Sequence, residues 1–157
     1  MISLFPRGIM VLALATALGC GGSKSTPDPV TPAEVPAKPQ GSLYERLGGL
    51  EAIKAVTHQF VLNVVADKRI NHFFMNSKAD ELEKKLVEQI CQATGGPCTY
   101  TGKDMVTVHT GMKITDADFD ALVEDLVAAL DQFKVGQAEK DELLGALGAM
   151  RKDIVGK

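Results

Sequence analysis

The stretch DMVTVHTGMKITDADFDAL, residues 104–122, sets one histidine on the apolar side of a predicted short helix. Met105, Val108 and Met112 follow the i, i+3, i+7 spacing of a single helical stripe, and His109 comes four residues after Met105 on the same side. A lone imidazole in such a position is usually a core residue that donates its N–H to a backbone carbonyl. Alternatively, His109 is a ligand of a metal. The stretch alone does not distinguish a core histidine from a metal ligand.

The second half of the stretch opens the clearest predicted helix of the chain, ITDADFDALVEDLVAALDQFKV, residues 114–135. Thr115 is a suitable N-cap, and aspartates fill the first turn, where the positive end of the helix dipole favours them. The apolar side chains keep helical spacing over the whole segment. They are Phe119, Leu122, Val123, Leu126, Val127 and Leu130.

Helical patterns also fill the chain before this stretch. Residues 42–49, SLYERLGG, predict a short helix that Gly48 and Gly49 end. The next predicted helix has one buried side, made of Leu50, Ile53, Val56, Phe60, Val64 and Val65. Residues 69–79, RINHFFMNSKA, predict an irregular corner. Residues 80–94 predict an amphipathic helix ended by Gly95-Gly96-Pro97, with Leu82, Leu86, Val87 and Ile90 inside.

The chain is predicted to end in one helix, AEKDELLGALGAMRKDIV, residues 138–155. Gly145 and Gly148 weaken this helix locally, and we expect them to permit close approach of a neighbouring helix. No strand pattern or internal repeat competes with the helical reading. The fold class is therefore all-α, with helix packed on helix.

Composition limits the possible partners. The chain has 157 residues, a net charge of −3, 45% hydrophobic residues and no Trp, so its core must be mostly aliphatic. No basic cluster is present, which argues against nucleic acid as a partner.

The first nineteen residues have the pattern of an export signal. Arg7 precedes the apolar run IMVLALATALG, which is too short for a stable membrane span. The run ends in TALGC, which resembles a bacterial lipoprotein signal in which Cys20 becomes the lipidated N-terminus. Ala17 and Leu18 are swapped relative to the commonest order. The lipoprotein reading predicts an exported protein anchored by lipid on the periplasmic or outer face, and the alternatives are cleavage near Gly19 with plain secretion, or a retained anchor.

Residues 20–41 predict a tether, because five of the seven prolines fall between Pro27 and Pro39 and no apolar periodicity is present. The folded domain is predicted over residues 42–157.

Within this domain, Cys91 and Cys98 are seven residues apart, in a compartment that would permit a disulfide. A bridge and two buried free thiols both remain open. A zinc site is unsupported, since the paired short ligand spacings are missing.

Several ordered motifs together resemble the first group of truncated haemoglobins. They are SLYERLGG, VVADKRINHFF, ATGGPCTYTGKDM and VHTGMKITDADFDALVEDLVAAL, and the resemblance covers about residues 42–155. It implies a two-over-two helical sandwich that holds a b-type haem and binds a diatomic gas.

The resemblance places the family's proximal haem ligand on His109. One imidazole nitrogen can fill an axial iron site while the apolar neighbours shield the ring. His58 falls off the apolar side of its helix and His72 lies in the corner, so His109 alone among the three histidines lies on an apolar stripe. The other haem-contacting residues that we expect are Phe60, Phe74, Leu82, Lys85, Leu86, Ile90, Tyr100 and Met105.

The distal side departs from the family pattern. Val61 stands where the family usually has a tyrosine, and Leu82 and Leu86 stand where it often has hydrogen-bonding residues. A hydrogen bond to a bound, partly charged oxygen contributes about 1.5–3 kcal/mol, so its loss predicts fast oxygen release. Lys85 is the polar side chain nearest the distal edge. It is either an internal iron ligand that gates gas access or an exposed residue at the haem edge.

Three functions compete at this point. The first is reversible binding or carriage of oxygen, nitric oxide or carbon monoxide. The second is a haem redox enzyme, such as a nitric oxide dioxygenase, with an unidentified electron donor, although peroxide cleavage requires a polar acid–base group that the apolar distal side lacks. The third is a helical interaction domain that has lost its haem, which retention of His109 argues against.

Overall fold

The computed structural model describes residues 40–157. The predicted signal peptide, its lipidation residue Cys20 and all but the end of the predicted tether lie outside the described residues. The described part is all-helical, without a β-strand. None of its helices is both long and apolar enough to cross a membrane.

Within residues 40–157, seven α-helices and one short 3₁₀ helix follow one another. They are α1 (Leu43–Arg46), α2 (Gly49–Ala66), the 3₁₀ helix (Asn71–Phe74), α3 (Ala79–Ala93), α4 (Met105–His109), α5 (Asp116–Gln132), α6 (Gln137–Gly148) and α7 (Arg151–Ile154). Helix α2 packs against both α3 and α5, α5 packs against α6, and α1 packs against α6. The pairs α2–α3 and α5–α6 thus form the two layers of a helical sandwich.

Reciprocal capping boxes explain where two of these helices begin. Ser42 Oγ accepts the N–H of Glu45 at 3.2 Å, while the Glu45 carboxylate accepts the N–H of Ser42 at 3.0 Å. Thr115 and Asp118 form the same reciprocal capping box at the start of α5, as the sequence predicted for Thr115. Each box satisfies backbone donors that have no partner within the helix.

The core lies between the two layers and is aliphatic, as the composition predicted. Its buried members are Leu43, Ile53, Val56, Phe60, Val64, Ile70, Ile90, Cys91, Ala121, Leu126, Ala129, Leu130 and Leu143. A smaller cluster around Ile114, Phe119 and Ile154 includes the partly buried Met105 and Met112. It supports α4, which packs against α7.

Three details of the predicted helices are wrong. Val65 is 55% exposed and does not belong to the buried side of α2, which carries Thr57 and Val61 as well as the predicted residues. The corner at residues 69–79 contains the 3₁₀ helix. The final segment is two helices, because the chain turns at Ala149 and Met150 after Gly148, the last residue of α6.

Gly145 and Gly148 do not mediate close helix approach, which corrects the prediction made for them. A Cβ atom built at either position would meet no atom within 4 Å. Gly96, by contrast, packs so closely that a Cβ there would lie 2.5 Å from Tyr44 Cδ2 and 2.7 Å from Cys91 Sγ.

Candidate functional site

A cavity of about 640 Å³ opens between α3 and α4. Most of its lining is apolar. These side chains are Phe60, Val61, Val64, Phe74, Leu82, Leu86, Ile90, Met105, Val108, Phe119, Leu122, Val123, Leu126, Leu144, Leu147, Met150 and Ile154. Its volume falls within the range of about 300–1,000 Å³ typical of small-molecule and cofactor sites.

His109, the last residue of α4, lines this cavity. Asp104 caps the helix by accepting the N–H of Thr107 at 2.9 Å, and it also accepts the Thr107 hydroxyl at 2.6 Å. The hydroxyl bond first, and then the backbone bond, lower the pKa of Asp104. His109 Nδ1 lies 2.7 Å from the carbonyl oxygen of Met105. Because a carbonyl can only accept, Nδ1 must carry the proton, and Nε2 keeps its lone pair. In this tautomer, the His109 side chain can bind a metal through Nε2 alone.

The other two histidines lie outside the cavity lining. His58 is exposed, and its Nδ1 lies 3.0 Å from a Glu83 carboxylate oxygen. His72 is exposed and stacks on Phe73, with ring centroids 4.0 Å apart. No group of three or more His, Cys, Asp or Glu side chains within residues 40–157 is placed to hold a bare metal ion.

The wall formed by α2 and α3 is apolar where the sequence placed the distal side. Val61 is 5% exposed, and Leu82 and Leu86 line the cavity one helical turn apart. Phe60 and Ile90 also line the cavity, and both belong to the main core. Phe74, from the 3₁₀ helix, also lines the cavity.

Lys85 lies at the cavity mouth, where its amine is held by other side chains. Its Nζ is 3.2 Å from Glu88 Oε2 and also donates to Thr101 Oγ1. Glu88 accepts from the backbone N–H of Thr101 at 3.0 Å and from its hydroxyl at 2.7 Å. These hydrogen bonds from Thr101, with a further contribution from Lys85, lower the pKa of Glu88 to about 2. The cluster joins α3 to the loop before α4.

Tyr100 lines the cavity and also holds that loop in place. Its hydroxyl donates to the carbonyl of Lys103 at 2.9 Å, and burial raises the pKa of the phenol. Its backbone N–H donates to Gln92 Oε1 at 2.6 Å. Next to this contact, a disulfide joins Cys91 at the end of α3 to Cys98.

The sequence patterns missed several lining residues. Phe119 and Leu126 were expected only as core, and Met150 only as part of a continuous helix. Gln89 was not singled out at all, although it lies three residues after Leu86 and seven after Leu82 on the cavity side of α3. A polar residue on an otherwise apolar helical stripe was the available signal.

Two layers of helices around an apolar cavity, with one histidine whose Nε2 is available as a ligand atom, are typical of a globin. The family model for bacterial-like globins matches residues 42–155. A group 1 truncated haemoglobin of Tetrahymena pyriformis is 39% identical over 120 residues, which are 76% of this chain and 98% of that protein. The chain belongs to the bacterial-like globin family and, within it, to the group 1 truncated haemoglobins.

Solved structures agree with this assignment. The Fe(III) form of the truncated haemoglobin from Tetrahymena pyriformis gives a TM-score of 0.72 at 38% identity, covering 74% of this chain and 100% of that chain. The 2/2 haemoglobin from Synechococcus sp. PCC 7002, in the cyanomet state and with covalently attached heme, gives 0.70 at 32% identity, with 74% and 100% covered. The two-over-two sandwich is therefore confirmed, and family membership supports haem-based gas binding in general terms.

Proposed function

We propose that this protein reversibly binds a diatomic gas, oxygen, nitric oxide or carbon monoxide, through a b-type haem whose iron His109 holds. The observation that carries the proposal is the His109 imidazole, which lines the cavity. Its Nδ1–H donates to the carbonyl oxygen of Met105 at 2.7 Å, and this leaves Nε2 as the ligand atom. A metal-ligating histidine that donates its other nitrogen to a backbone carbonyl has its tautomer and ring orientation fixed.

The cavity lining suits a haem, which supplies a redox-active iron inside a flat apolar ring with two carboxylates at one edge. Apolar side chains from α2, α3, α5 and α6 would contact the ring. Lys78 and Lys103 are exposed at the mouth, where an ammonium can pair with a carboxylate in contact with water. No buried charge in the described lining opposes this orientation.

The iron is proposed to be five-coordinate when no gas is bound. The alternative, an iron gated by Lys85, requires that amine to leave Glu88 and Thr101 and to lose its proton inside an apolar cavity. Desolvating an ammonium is unfavourable, and breaking its contact with Glu88 adds to the cost. The contacts of Lys85 therefore support the five-coordinate form.

We also propose that the protein is exported and anchored by a lipid on Cys20, with residues 1–19 removed. The support is the sequence pattern alone, a positive residue followed by an apolar run and small residues before the cysteine. Intact mass of membrane-extracted protein tests it. We expect loss of residues 1–19 and a lipid increment on Cys20, whereas soluble, unmodified periplasmic protein would contradict it.

The proposed iron ligand is tested with His109→Gly and the matched control His58→Ala. The control removes an exposed imidazole that lies outside the cavity lining. We expect His58→Ala to keep the wild-type haem spectrum and His109→Gly to lose it, with partial recovery when free imidazole is added. Circular dichroism of both variants checks that the helices remain folded.

A further inference from the structure

Helix α4, which carries His109, gains little stability from burial. It has five residues, and none of them is buried. Its three middle residues are exposed, and the residues at its two ends are partly buried. A single helical turn is marginal in water, and most helices of folded proteins are stabilised by packing of an apolar side. Local hydrogen bonds must therefore contribute a larger share of the stability of α4 than of the longer helices.

Asp104 supplies the side-chain hydrogen bonds at the start of α4. One of its carboxylate oxygens accepts the N–H of Thr107 at 2.9 Å, and the other accepts the Thr107 hydroxyl at 2.6 Å. The backbone carbonyl of Asp104 also accepts the N–H of Val108 at 3.0 Å. A charged acceptor forms stronger hydrogen bonds than a neutral one, and the helix dipole favours a carboxylate at this end. These three bonds hold the first turn of α4 in helical geometry.

The same turn carries the hydrogen-bond partner of the His109 ring. His109 Nδ1–H donates to the carbonyl oxygen of Met105 at 2.7 Å. Met105 directly follows Asp104 and is the first residue of α4. The direction of its carbonyl is set by the backbone dihedral angles of the first turn, which the bonds from Asp104 to Thr107 and Val108 enclose. If this turn frays, the carbonyl turns away from the imidazole.

We infer that Asp104 is a positioning residue for the haem iron, because its cap holds the Met105 carbonyl where that carbonyl accepts His109 Nδ1–H. The inference rests on the proposed function. A ligating imidazole that donates its second nitrogen to a fixed acceptor has a fixed ring orientation and a more basic ligand nitrogen. The cap of α4 thus strengthens the bond between iron and His109 Nε2 without touching the haem.

The test compares Asp104→Ala with Asp104→Asn in the full-length, haem-loaded protein. Alanine accepts neither bond from Thr107, whereas asparagine caps helices about as well as aspartate and carries no charge. Thr107→Val is a milder second variant, because it removes only the 2.6 Å hydroxyl bond. Thr115→Ala is the matched control for loss of a cap elsewhere, since Thr115 caps α5 and is not part of the cavity lining.

Two measurements are made on each haem-loaded protein: the iron–histidine stretching frequency of the ferrous, gas-free form by resonance Raman spectroscopy, and the rate of ferric haem transfer to excess apomyoglobin. We expect Asp104→Ala to have a lower stretching frequency and to lose haem about tenfold faster, since loss of such an outer partner weakens metal binding by about 10- to 100-fold. Thr107→Val should change both in the same direction by less, and Asp104→Asn and Thr115→Ala should match wild type. The stretch is recorded only from molecules that hold haem, so a general loss of stability would not shift it.

A wild-type stretching frequency in haem-loaded Asp104→Ala, or in Thr107→Val if the alanine variant holds no haem, would overturn the inference and leave the proposed function intact. An equal change in Asp104→Asn would assign the effect to the charge and would also overturn it. Failure of the wild-type protein to bind haem, or absence of an iron–histidine stretch from it, would overturn the proposed function itself, and the inference with it.

Discussion

The disulfide between Cys91 and Cys98 should raise the free energy of unfolding of the domain, by an amount set by the short loop of chain between the two cysteines. The perturbation is reduction of the bridge in wild-type protein, compared with the double variant Cys91→Ala/Cys98→Ala. Cys91 is fully buried, so the alanine pair also loses packing against its neighbours. Reduced wild-type protein is therefore the better reference for the bridge alone.

The magnitude follows from loop closure in the unfolded chain. The two cysteines are 7 residues apart. The chain-entropy relation for a loop of that size gives about 8 cal/mol/K, or about 2.4 kcal/mol at 25 °C. For a domain of this length, that corresponds to a fall of about 10 °C in Tm.

The assay is urea unfolding of the haem-free protein, followed by circular dichroism with and without a thiol reductant. We expect the free energy of unfolding of wild type to fall by about 2.4 kcal/mol on reduction, and that of the double alanine variant not to respond to the reductant. Alkylation and mass analysis before unfolding report the state of the thiols. A wild-type protein with two alkylatable thiols under oxidising conditions, or one whose stability is unchanged on reduction, would refute the reasoning.

Three further predictions concern the cavity mouth and one helix cap. Contacts with Thr101 depress the pKa of Glu88 to about 2, so the stability that they contribute is present above its ordinary pKa of 4.5 and is lost as pH falls from there through 2. The protection of the Thr101 amide against hydrogen exchange, relative to the intrinsic rate at each pH, should fall over this window, and Glu88→Gln should remove that acid dependence. Lys85→Ala should leave the haem spectrum unchanged between neutral and alkaline pH, whereas loss of an alkaline low-spin form in the variant would establish the lysine-gated iron instead. Thr115→Ala should cost about 1 kcal/mol in urea unfolding through loss of the α5 cap, and an unchanged midpoint would show that Asp118 caps the helix without it.

Local rules were enough to predict α5 and the placement of His109 on the cavity side of α4. The cap at Thr115 and the unbroken apolar spacing that follows it are both encoded within a few residues, so propensity and burial agree. The placement of His109 was predictable for a similar reason, since the apolar stripe on α4 is formed by its neighbours in sequence. The resemblance to the truncated haemoglobins implies the role of iron ligand, which stays a proposal.

What the sequence missed depends on contacts between distant segments. Val65 has the right residue type for the core, but it is 55% exposed while the adjacent Val64 is buried, so at this end of α2 the neighbouring helices cover Val64 and not Val65. The break at Ala149 and Met150 reflects two nearby glycines and the packing of the second short helix against α4. Gln89 is polar and was not singled out, because only the fold of α3 against its neighbours turns it towards the cavity.

The most direct test of the account is the absorption spectrum of purified protein mixed with one equivalent of ferric haem, before and after reduction and addition of carbon monoxide. The account predicts one haem bound per chain, with an intense Soret band that sharpens and shifts on binding carbon monoxide. The same spectra should be absent in His109→Gly and present in His58→Ala. A spectrum in His109→Gly identical to that of wild type, without added imidazole, would contradict the assignment of His109 as the iron ligand.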